Sequence, residues 1–362
     1  MTHSEILNWL LETDSGRLAE LWRFADDARR ENVGDEVHLR GLVEISNCCV
    51  RRCAYCGINA DNADLPRYRM TADEILEAAH KAKEPGFGTV VLQAGEDYGI
   101  TRDWMSSLVR RVKSQTALAV TLSLGERPAE DLAAWREAGA DRYLLRFETS
   151  NPELYRRIHP DLSGRRSDRF AVLRLLKRLG YEVGSGVMIG IPGQTYEDLA
   201  DDIEAFKDFD LDMIGVGPYI SHPATPLGRA LDGYGVGDER QAPATELMTY
   251  KVVALARIAC PRANIPSTTA LATLNKASGR ELGLQRGANV IMPNLTPVKY
   301  RAMYEIYPAK ACLYETADDC GACIKSRIAS VGRRVGAGRG DSRNRRGANT
   351  RTAAQAGGEQ LR

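Results

Sequence analysis

The sequence predicts an α/β fold, a complete (β/α)8 barrel of parallel strands with an N-terminal helical extension. Strand-like and helix-like segments alternate eight times between residues 38 and 300, and no linker-like stretch interrupts them. A cysteine-rich loop follows the first strand-like run. Because the active sites of such barrels lie at the carboxyl ends of the strands, the loop falls where this fold places its chemistry.

The apolar patterns predict the elements in chain order. Residues 1–37 form the helical extension, and the barrel spans residues 38–300. Its eight strands are predicted near residues 38–46, 88–95, 117–125, 142–149, 182–191, 211–220, 264–270 and 288–295. Helices begin between them at recognisable signals, such as the capping box Thr71–Glu74. Residues 301–332 form a C-terminal segment with a second group of cysteines.

Length and composition fit one large enzyme. The chain has 362 residues, 43% of them apolar, which suffices for a full core. The amino terminus shows no basic stretch before an apolar one, and no apolar run approaches the roughly 20 residues that cross a bilayer. We therefore expect a cytoplasmic protein with no membrane contact.

The net charge of +1 hides an asymmetry. Residues 333–362 hold eight Arg and two acidic residues, a net charge of +6, against −5 for residues 1–332. This tail is rich in Gly, Arg, Ala and Asn and nearly free of large apolar groups, so we predict that it is disordered. A solvated extension is favoured over contact with nucleic acid or with an acidic partner.

The most specific motif is a C-x3-C-x2-C loop formed by Cys49, Cys53 and Cys56. Three thiolates can hold a [4Fe-4S] cluster and leave its fourth iron without a protein ligand, which favours catalysis over electron transfer. Structural zinc usually takes four Cys or His ligands, and no histidine lies within ten residues of the loop. Cys48 adjoins the loop and could shift the pattern to C-x4-C-x2-C as a reserve ligand, but it is interpreted as a small buried neighbour. Of the eight cysteines, six fall in two groups, which predicts metal sites in a reducing cytosol over disulfides.

Polar groups also mark the ends of the next strands. Gly95–Glu96 forms a corner whose backbone can approach a ligand amine closely. Thr121 and Ser123 share one face of the third strand. Arg146 and Glu148 share a face of the fourth, and charges inside a barrel are costly unless they pair with each other or with a ligand. Ligand contact is the favoured interpretation.

The later strands give weaker signals. The fifth ends in the Gly-rich turn Gly190–Gly193, which suits the close approach of a flat adenine ring. Met213 and Met292 could contact a ligand, although most such residues belong to the core. Thr268–Thr269 offers hydroxyls to an anion or, equally, a helix cap.

Several runs spread along the barrel carry a family resemblance: Arg67–Thr71, Val91–Gln93, Thr121–Glu126, Ala140–Arg146, Ile191–Thr195, Gly217–Pro223 and Gly287–Asn294. They resemble the HydE family, the radical S-adenosylmethionine (radical SAM) maturases of [FeFe]-hydrogenase. The resemblance covers residues 38–331 and implies a barrel of radical SAM type. Methylornithine synthases and, more distantly, biotin synthases share this scaffold.

The resemblance implies a role for each candidate site residue. Cys49, Cys53 and Cys56 would hold the cluster. SAM would contact Tyr55, Gly95, Glu96, Arg146, Glu148, Arg169 and Met188, with Glu148 at its ribose and Arg169 at its carboxylate. The substrate cavity would be lined by Thr121, Ser123, Met213, Thr268, Thr269, Met292, Tyr304 and Tyr307. Ala94 stands where a serine is typical of related maturases.

A second cysteine group, Cys312, Cys320 and Cys323, has C-x7-C-x2-C spacing. It is similar to the accessory iron–sulfur site of some family members, where it is dispensable for activity. It could hold a second [2Fe-2S] or [4Fe-4S] cluster, hold zinc, or be empty. Cys260 is interpreted as a core residue.

The resemblance also implies the chemistry. Reductive cleavage of SAM would give a 5′-deoxyadenosyl radical that acts on an organometallic iron–cysteine precursor during assembly of the two-iron subcluster of the hydrogenase H-cluster. The implied partners are a low-potential electron donor, the other hydrogenase maturases and this small substrate. A methylornithine synthase-like mutase acting on lysine, a biotin synthase-like enzyme and a non-enzymatic iron–sulfur scaffold remain as alternatives.

Overall fold

Short strands around a central cavity form one sheet, in which every pairing is parallel. The computed structural model describes residues 1–83, 86–229, 240–311 and 317–344. Within these residues the strands are β1 (Glu36–Ser46), β2 (Thr89–Ala94), β3 (Ala119–Ser123), β4 (Arg142–Leu144), β5 (Glu182–Ile189), β6 (Met213–Pro218), β7 (Val290–Ile291) and β8 (Arg334–Val335). Seven of them follow the order β6-β5-β4-β3-β2-β1-β7, and β8 pairs with β1.

Helices cover the outer face of this sheet. In the described residues they are α1 (His3–Leu11), α2 (Ser15–Val33), α3 (Ala72–Lys81), α4 (Arg102–Thr116), α5 (Ala129–Glu137), α6 (Pro152–Ile158), α7 (Arg169–Arg178), α8 (Tyr196–Asp208), α9 (Glu246–Ala259), α10 (Thr269–Leu274), α11 (Gly279–Gln285), α12 (Val298–Arg301) and α13 (Ala317–Ser330). The Thr71 capping box at the start of α3 is confirmed. The N-terminal helices are also present, and α1 and α2 pack on α8 and α9. None of the helices in the described ranges is both long and apolar enough to span a membrane.

The prediction of a complete barrel with eight regular strands is wrong. The regular sheet is a half-barrel of seven parallel strands, because the predicted strand at 264–270 does not form. Residues 264–267 instead make single bridges, from Asn264 to β6 and from Pro266 to β7. Proline has no N–H to donate to a ladder, and α10 begins at Thr269 directly after its N-cap Thr268, so no room remains for a strand.

The prediction that residues 333–362 are disordered is also wrong as far as residue 344. Strand β8 pairs with Glu36 and Val37 at the start of β1. Residues 336–344, which we call the floor strap, then cross beneath the amino-terminal ends of the barrel strands. Residues 345–362 of the predicted tail lie outside the described residues.

Hydrogen bonds and ion pairs hold the floor strap in place. They run from Thr89 Oγ1 to the Arg339 carbonyl (2.8 Å), from Arg40 Nη2 to the Gly340 carbonyl (3.1 Å), from Arg142 Nη2 to Asp341 Oδ1 (2.5 Å) and from the Ser342 N–H to Glu182 Oε1 (3.1 Å). Arg40 and Arg142 are buried, so each guanidinium needs acceptors. The strap supplies these acceptors. Its order therefore comes from polar contacts, whereas its composition alone predicted disorder.

Candidate active site

A cavity of about 340 Å³ occupies the inside of the half-barrel. All eighteen residues predicted for the cluster, for SAM and for the substrate line it: Cys49, Cys53, Tyr55, Cys56, Gly95, Glu96, Thr121, Ser123, Arg146, Glu148, Arg169, Met188, Met213, Thr268, Thr269, Met292, Tyr304 and Tyr307. They come from loops and strand ends all along the chain. Because the strands are parallel, their carboxyl ends lie on one side of the sheet, which is where the active sites of such folds are found.

Backbone hydrogen bonds hold the cysteine loop above this cavity. The Val50 N–H donates to the Glu96 carbonyl (2.9 Å), the Ala54 N–H to the Ile158 carbonyl (2.8 Å) and the Gly57 N–H to the Ile306 carbonyl (3.0 Å). These bonds tie the loop to the ends of β2 and α6 and to the C-terminal segment. The loop therefore depends on three distant parts of the chain.

Gly95 permits the closest of these approaches. A Cβ atom at this position would lie 2.3 Å from the Cys48 carbonyl oxygen and 2.8 Å from Cys49 Cβ. No side chain larger than hydrogen fits at that distance, so a glycine is required where β2 meets the cysteine loop.

The three thiols fit a cluster better than a single metal ion. Among the described residues, one group of three His, Cys, Asp or Glu side chains has its ligand atoms within 4.8 Å of one another, and it consists of His3, Asp201 and Glu204. Zinc–sulfur bonds of about 2.3 Å would bring thiolates within roughly 4 Å of one another, whereas the three Sγ atoms of the cysteine loop do not all lie within 4.8 Å of one another in this structure. A cubane accepts the wider spacing because each thiolate binds a different iron.

Burial also sets the protonation of these thiols. It raises the pKa of Cys49 and Cys53, and it raises the pKa of Cys56 to about 12. Metal binding at this loop therefore has to release protons.

Beneath the loop, Arg51 pairs with two acidic side chains. Its Nε donates to Glu96 Oε1 (2.9 Å), and its Nη2 lies 3.2 Å from Glu126 Oε2. Glu96 is fixed further, because its Oε2 accepts from the Glu126 N–H (2.8 Å) and its Oε1 from the Tyr98 hydroxyl (3.0 Å). Arg51 and Glu126 were missed by sequence reasoning. The signal was available for Glu126, which lies in one of the runs of family resemblance.

Arg169 continues this charged network on the far side of Glu126. Its Nε donates to Glu126 Oε1 (3.3 Å), and its Nη2 lies 2.6 Å from His159 Nε2. Its Nη1 donates to the Arg146 carbonyl and lies 3.9 Å from Glu148 Oε1. The guanidinium is therefore held in one orientation at the cavity wall.

The predicted pair Arg146 and Glu148 is also an ion pair, with Nη2 and Oε2 3.1 Å apart. Glu148 adopts a φ of +65°, a left-handed conformation that is uncommon for residues other than glycine. Such strain persists where surrounding contacts fix the backbone, and here Glu148 is bridged to Val187 of β5. Both charges thus face the cavity as predicted, and they also contact each other.

The Gly-rich turn after β5 is stabilised from inside by Gln194. Its Oε1 accepts from the N–H groups of Gly190 (2.7 Å) and Ile191 (3.2 Å), and its Nε2 donates to the Met188 carbonyl (3.0 Å). Asp202 of α8 lies 3.4 Å from the same Nε2, and burial raises its pKa to about 8. The turn predicted to suit an adenine ring is therefore rigid.

Several buried polar atoms along the cavity have no hydrogen-bond partner within the described chain. They include Arg40 Nε, Arg51 Nη1, Thr121 Oγ1, Glu148 Oε2 and Thr268 Oγ1. Buried polar groups are nearly always paired, so these atoms mark places where a polar ligand would bind. Thr268 precedes α10 but makes no side-chain cap bond, which favours the ligand interpretation over the helix cap.

The cavity carries more cationic than anionic residues. Its lining includes the bases Arg40, Arg51, Arg146, Arg169 and Lys310 and the acids Glu44, Glu96 and Glu148. Lys310 and Glu44 form a buried ion pair that joins the C-terminal segment to β1, and Lys310 also lies over the Tyr304 ring. Sequence reasoning missed Arg40, Glu44 and Lys310, since no local pattern sets them apart from other charged residues.

The accessory cysteines remain a prediction. Cys312 lies outside the described residues, and the side chain of Cys320 in α13 is not described. Cys323 is exposed, and its sulfur accepts from Arg327 Nε at 3.4 Å.

Comparison with known proteins adds four findings to this geometry. Residues 43–206 match the Radical SAM superfamily. The chain is 48% identical to the [FeFe] hydrogenase maturase subunit HydE of Thermotoga maritima over 89% of this chain and 88% of that protein. It is 30% identical to the 3-methylornithine synthase of Methanosarcina barkeri, over 79% and 77% of the two chains. The crystal structure of methylornithine synthase (PylB) superposes with a TM-score of 0.77 at 25% identity, covering 92% of this chain and 94% of that one.

Proposed function

Because this chain belongs to the HydE family of radical SAM maturases, we propose that it cleaves SAM reductively and acts on an organometallic iron–cysteine precursor of the two-iron subcluster of [FeFe]-hydrogenase. The observation that carries this proposal is the 48% identity to the T. maritima maturase along 89% of the chain. The lower identity of 30% to a methylornithine synthase makes the amino-acid mutase the weaker candidate.

The family implies two cofactors, a [4Fe-4S] cluster and SAM. When bound, they supply a 5′-deoxyadenosyl radical through one-electron cleavage of the S–C5′ bond of SAM. We assign the cluster to Cys49, Cys53 and Cys56, which are the three thiols that line the cavity. The hydrogen bonds of their loop to Glu96 and Ile158 would keep the cluster in a fixed place above the cavity.

Seven residues would hold SAM: Tyr55, Gly95, Glu96, Arg146, Glu148, Arg169 and Met188. Glu148 Oε2 contacts Arg146 as an ion pair but makes no hydrogen bond within the described chain, so it can accept from the ribose hydroxyls. Arg169 presents a fixed guanidinium to the carboxylate. The turn after β5 would contact the adenine through groups other than the N–H groups of Gly190 and Ile191, which already donate to Gln194.

The remaining lining residues would form the substrate chamber: Thr121, Ser123, Met213, Thr268, Thr269, Met292, Tyr304 and Tyr307. The hydroxyls of Thr121 and Thr268 are free to donate, and the excess of cationic residues favours an anionic substrate. An iron complex with cyanide and cysteine ligands has this character. A buried chamber also keeps water away from a reactive radical.

The proposed partners follow from the same assignment. As a hydrogenase maturase, the protein works with the other maturases and a small substrate. A low-potential electron donor would supply the electron. We further propose that Cys312, Cys320 and Cys323 hold an accessory iron–sulfur cluster. Replacing all three with Ala should lower the iron content and leave SAM cleavage largely intact.

The test is an anaerobic assay of the reconstituted protein with SAM and dithionite. We expect 5′-deoxyadenosine to form faster when the iron–cysteine complex made by the partner maturase is present, and hydrogenase to become active when all maturases are combined. Incubation with L-lysine in place of the complex is the control and should give no 3-methylornithine. Production of 3-methylornithine would replace this proposal with the mutase, and an EPR signal unchanged by SAM would leave the non-enzymatic scaffold.

A further inference from the structure

Two adjacent arginines in the cysteine loop have opposite environments. Arg51 is buried, with 2% of its side chain exposed, whereas Arg52 is 69% exposed and pairs with Asp61 at 3.3 Å. A basic residue needed only for solubility would lie outside, as Arg52 does. The inward orientation of Arg51 carries a desolvation cost, so its contacts have to offset that cost.

Those contacts connect the cysteine loop to the walls of the SAM pocket. Arg51 binds Glu96 directly at the end of β2, and it lies against Glu126 at the end of β3. Glu126 in turn accepts from Arg169 at the start of α7. Of the four side chains in this series of contacts, Arg51 belongs to the cysteine loop, and Glu96 and Arg169 line the proposed SAM pocket.

The balance of charge makes this arrangement dependent on Arg51. Two guanidinium groups face two carboxylates, and all four side chains are nearly or fully buried. Without Arg51, Glu96 loses its cationic partner, and Glu126 has Arg169 as its sole cation among the contacts described. Both carboxylates would then reorient toward the remaining charge, since a buried unpaired carboxylate is costly.

We propose that Arg51 is a positioning residue that couples the cysteine loop to SAM binding by holding Glu96 and, through Glu126, Arg169 in the orientation that receives SAM. The proposal rests on the function proposed above, because it takes SAM as the ligand of this pocket. The C-x3-C-x2-C motif specifies only the three cysteines, and the proposal gives a role to one of the residues between them. Arg51 itself ligates no iron.

The test compares three single variants of the reconstituted full-length protein. Arg51→Gln removes the charge, Arg51→Lys keeps it, and Arg52→Gln is the matched control on the neighbouring exposed residue. Iron content and cluster absorption report loading, and the dissociation constant for SAM comes from the SAM-induced change in the EPR signal of the reduced cluster. We expect R51Q to retain iron and to bind SAM about tenfold or more weakly. R51K should recover part of the affinity, and R52Q should match the parent protein.

A double variant separates positioning from a general effect on folding. Because Arg51 and Glu126 act along one chain of contacts, the loss of affinity in R51Q/E126Q should be smaller than the combined losses of R51Q and E126Q. Two results would overturn the proposal: parental affinity in R51Q, or loss of iron from both R51Q and R51K. If the parent protein itself does not bind SAM, the proposed function fails instead, so the two failures are distinguishable.

Discussion

At the scale of single residues, Cys53 is the most deeply buried of the three loop cysteines. We predict that Cys53→Ala loses the cubane and abolishes SAM cleavage, because each thiolate fills one coordination position. The measurement is iron content together with 5′-deoxyadenosine formed under reducing conditions. Cys260→Ala is the matched control, since Cys260 is also buried and its pKa is also raised, to about 12, but it lies outside the cavity. Continued formation of 5′-deoxyadenosine by the Cys53 variant would rule out this ligand.

Asp202 gives a prediction about pH. Burial raises its pKa from 3.8 to about 8, so the folded protein holds a proton there that the unfolded chain releases. The stabilisation that this proton gives is complete at acidic pH and is lost as the pH rises from about 4 to about 8. Its slope is at most about 1.4 kcal/mol per pH unit.

Asp202→Asn should therefore reduce the dependence of the free energy of unfolding on pH across this range. Urea denaturation at several pH values measures it. Asp201→Asn, on the exposed side of the same helix, is the control and should leave the dependence as it is. An identical pH dependence in parent and Asp202 variant would show that the carboxyl titrates normally.

The sequence identified cavity residues well where local rules apply. Thr121 and Glu148 were found because strand parity and the carboxyl ends of strands predict which side chains face inward. Lys310 was missed because its place in the cavity wall depends on its ion pair with Glu44, which lies 266 residues away along the chain. Arg51 was missed for a related reason: a loop arginine is exposed by default, and only its contacts reveal that it is buried.

At the scale of secondary-structure elements, α10 begins without a side-chain cap. Thr268 makes no cap bond there, whereas Thr245 accepts from the Met248 N–H at the start of α9. We predict that Thr268→Val changes the free energy of unfolding by less than about 0.5 kcal/mol, because it removes an unpaired buried hydroxyl. Thr245→Val should cost about 1 kcal/mol through loss of its cap.

Urea denaturation of the two threonine variants checks this contrast. Equal destabilisation of both would restore the helix-cap interpretation of Thr268. The same pair explains why element boundaries were harder to predict than element order. The segment 264–270 was predicted to be a strand, but Pro266 and the start of α10 shorten it to single bridges.

At the scale of the whole molecule, the floor strap ties the end of the described chain to four barrel strands. Its order was not predictable from composition, because disorder is inferred from a lack of apolar residues and the strap is held by polar contacts. The order of the strap is explained by the burial of Arg40 and Arg142, and that burial is evident only once the sheet is formed. The parallel pairing of the strands was predictable, since repeated strand–helix alternation favours it, but the closure into a complete barrel was not.

Truncation tests the strap directly. A chain ending at Val335 loses the strap and everything after it, whereas a chain ending at Asn344 keeps the strap. We predict that the shorter chain is less stable by several kcal/mol, on the order of 3–5, because buried Arg40 and Arg142 lose partners. Denaturant midpoints measure the difference. Equal midpoints for the two truncated chains would mean that the strap contributes nothing to the fold.

The position of the strap in the sequence also determines the order in which the parts of the barrel are synthesised. It follows in chain order every strand that it touches, so during synthesis the base of the barrel is still uncovered when the cysteine loop and the strands around it have already been made. Domains can begin to fold while the chain is still being made. The strands of a nascent chain therefore have no strap beneath them until residues 336–344 have been made. The part of the fold that covers the base of the barrel is thus made after every residue of the cysteine loop and of the cavity lining.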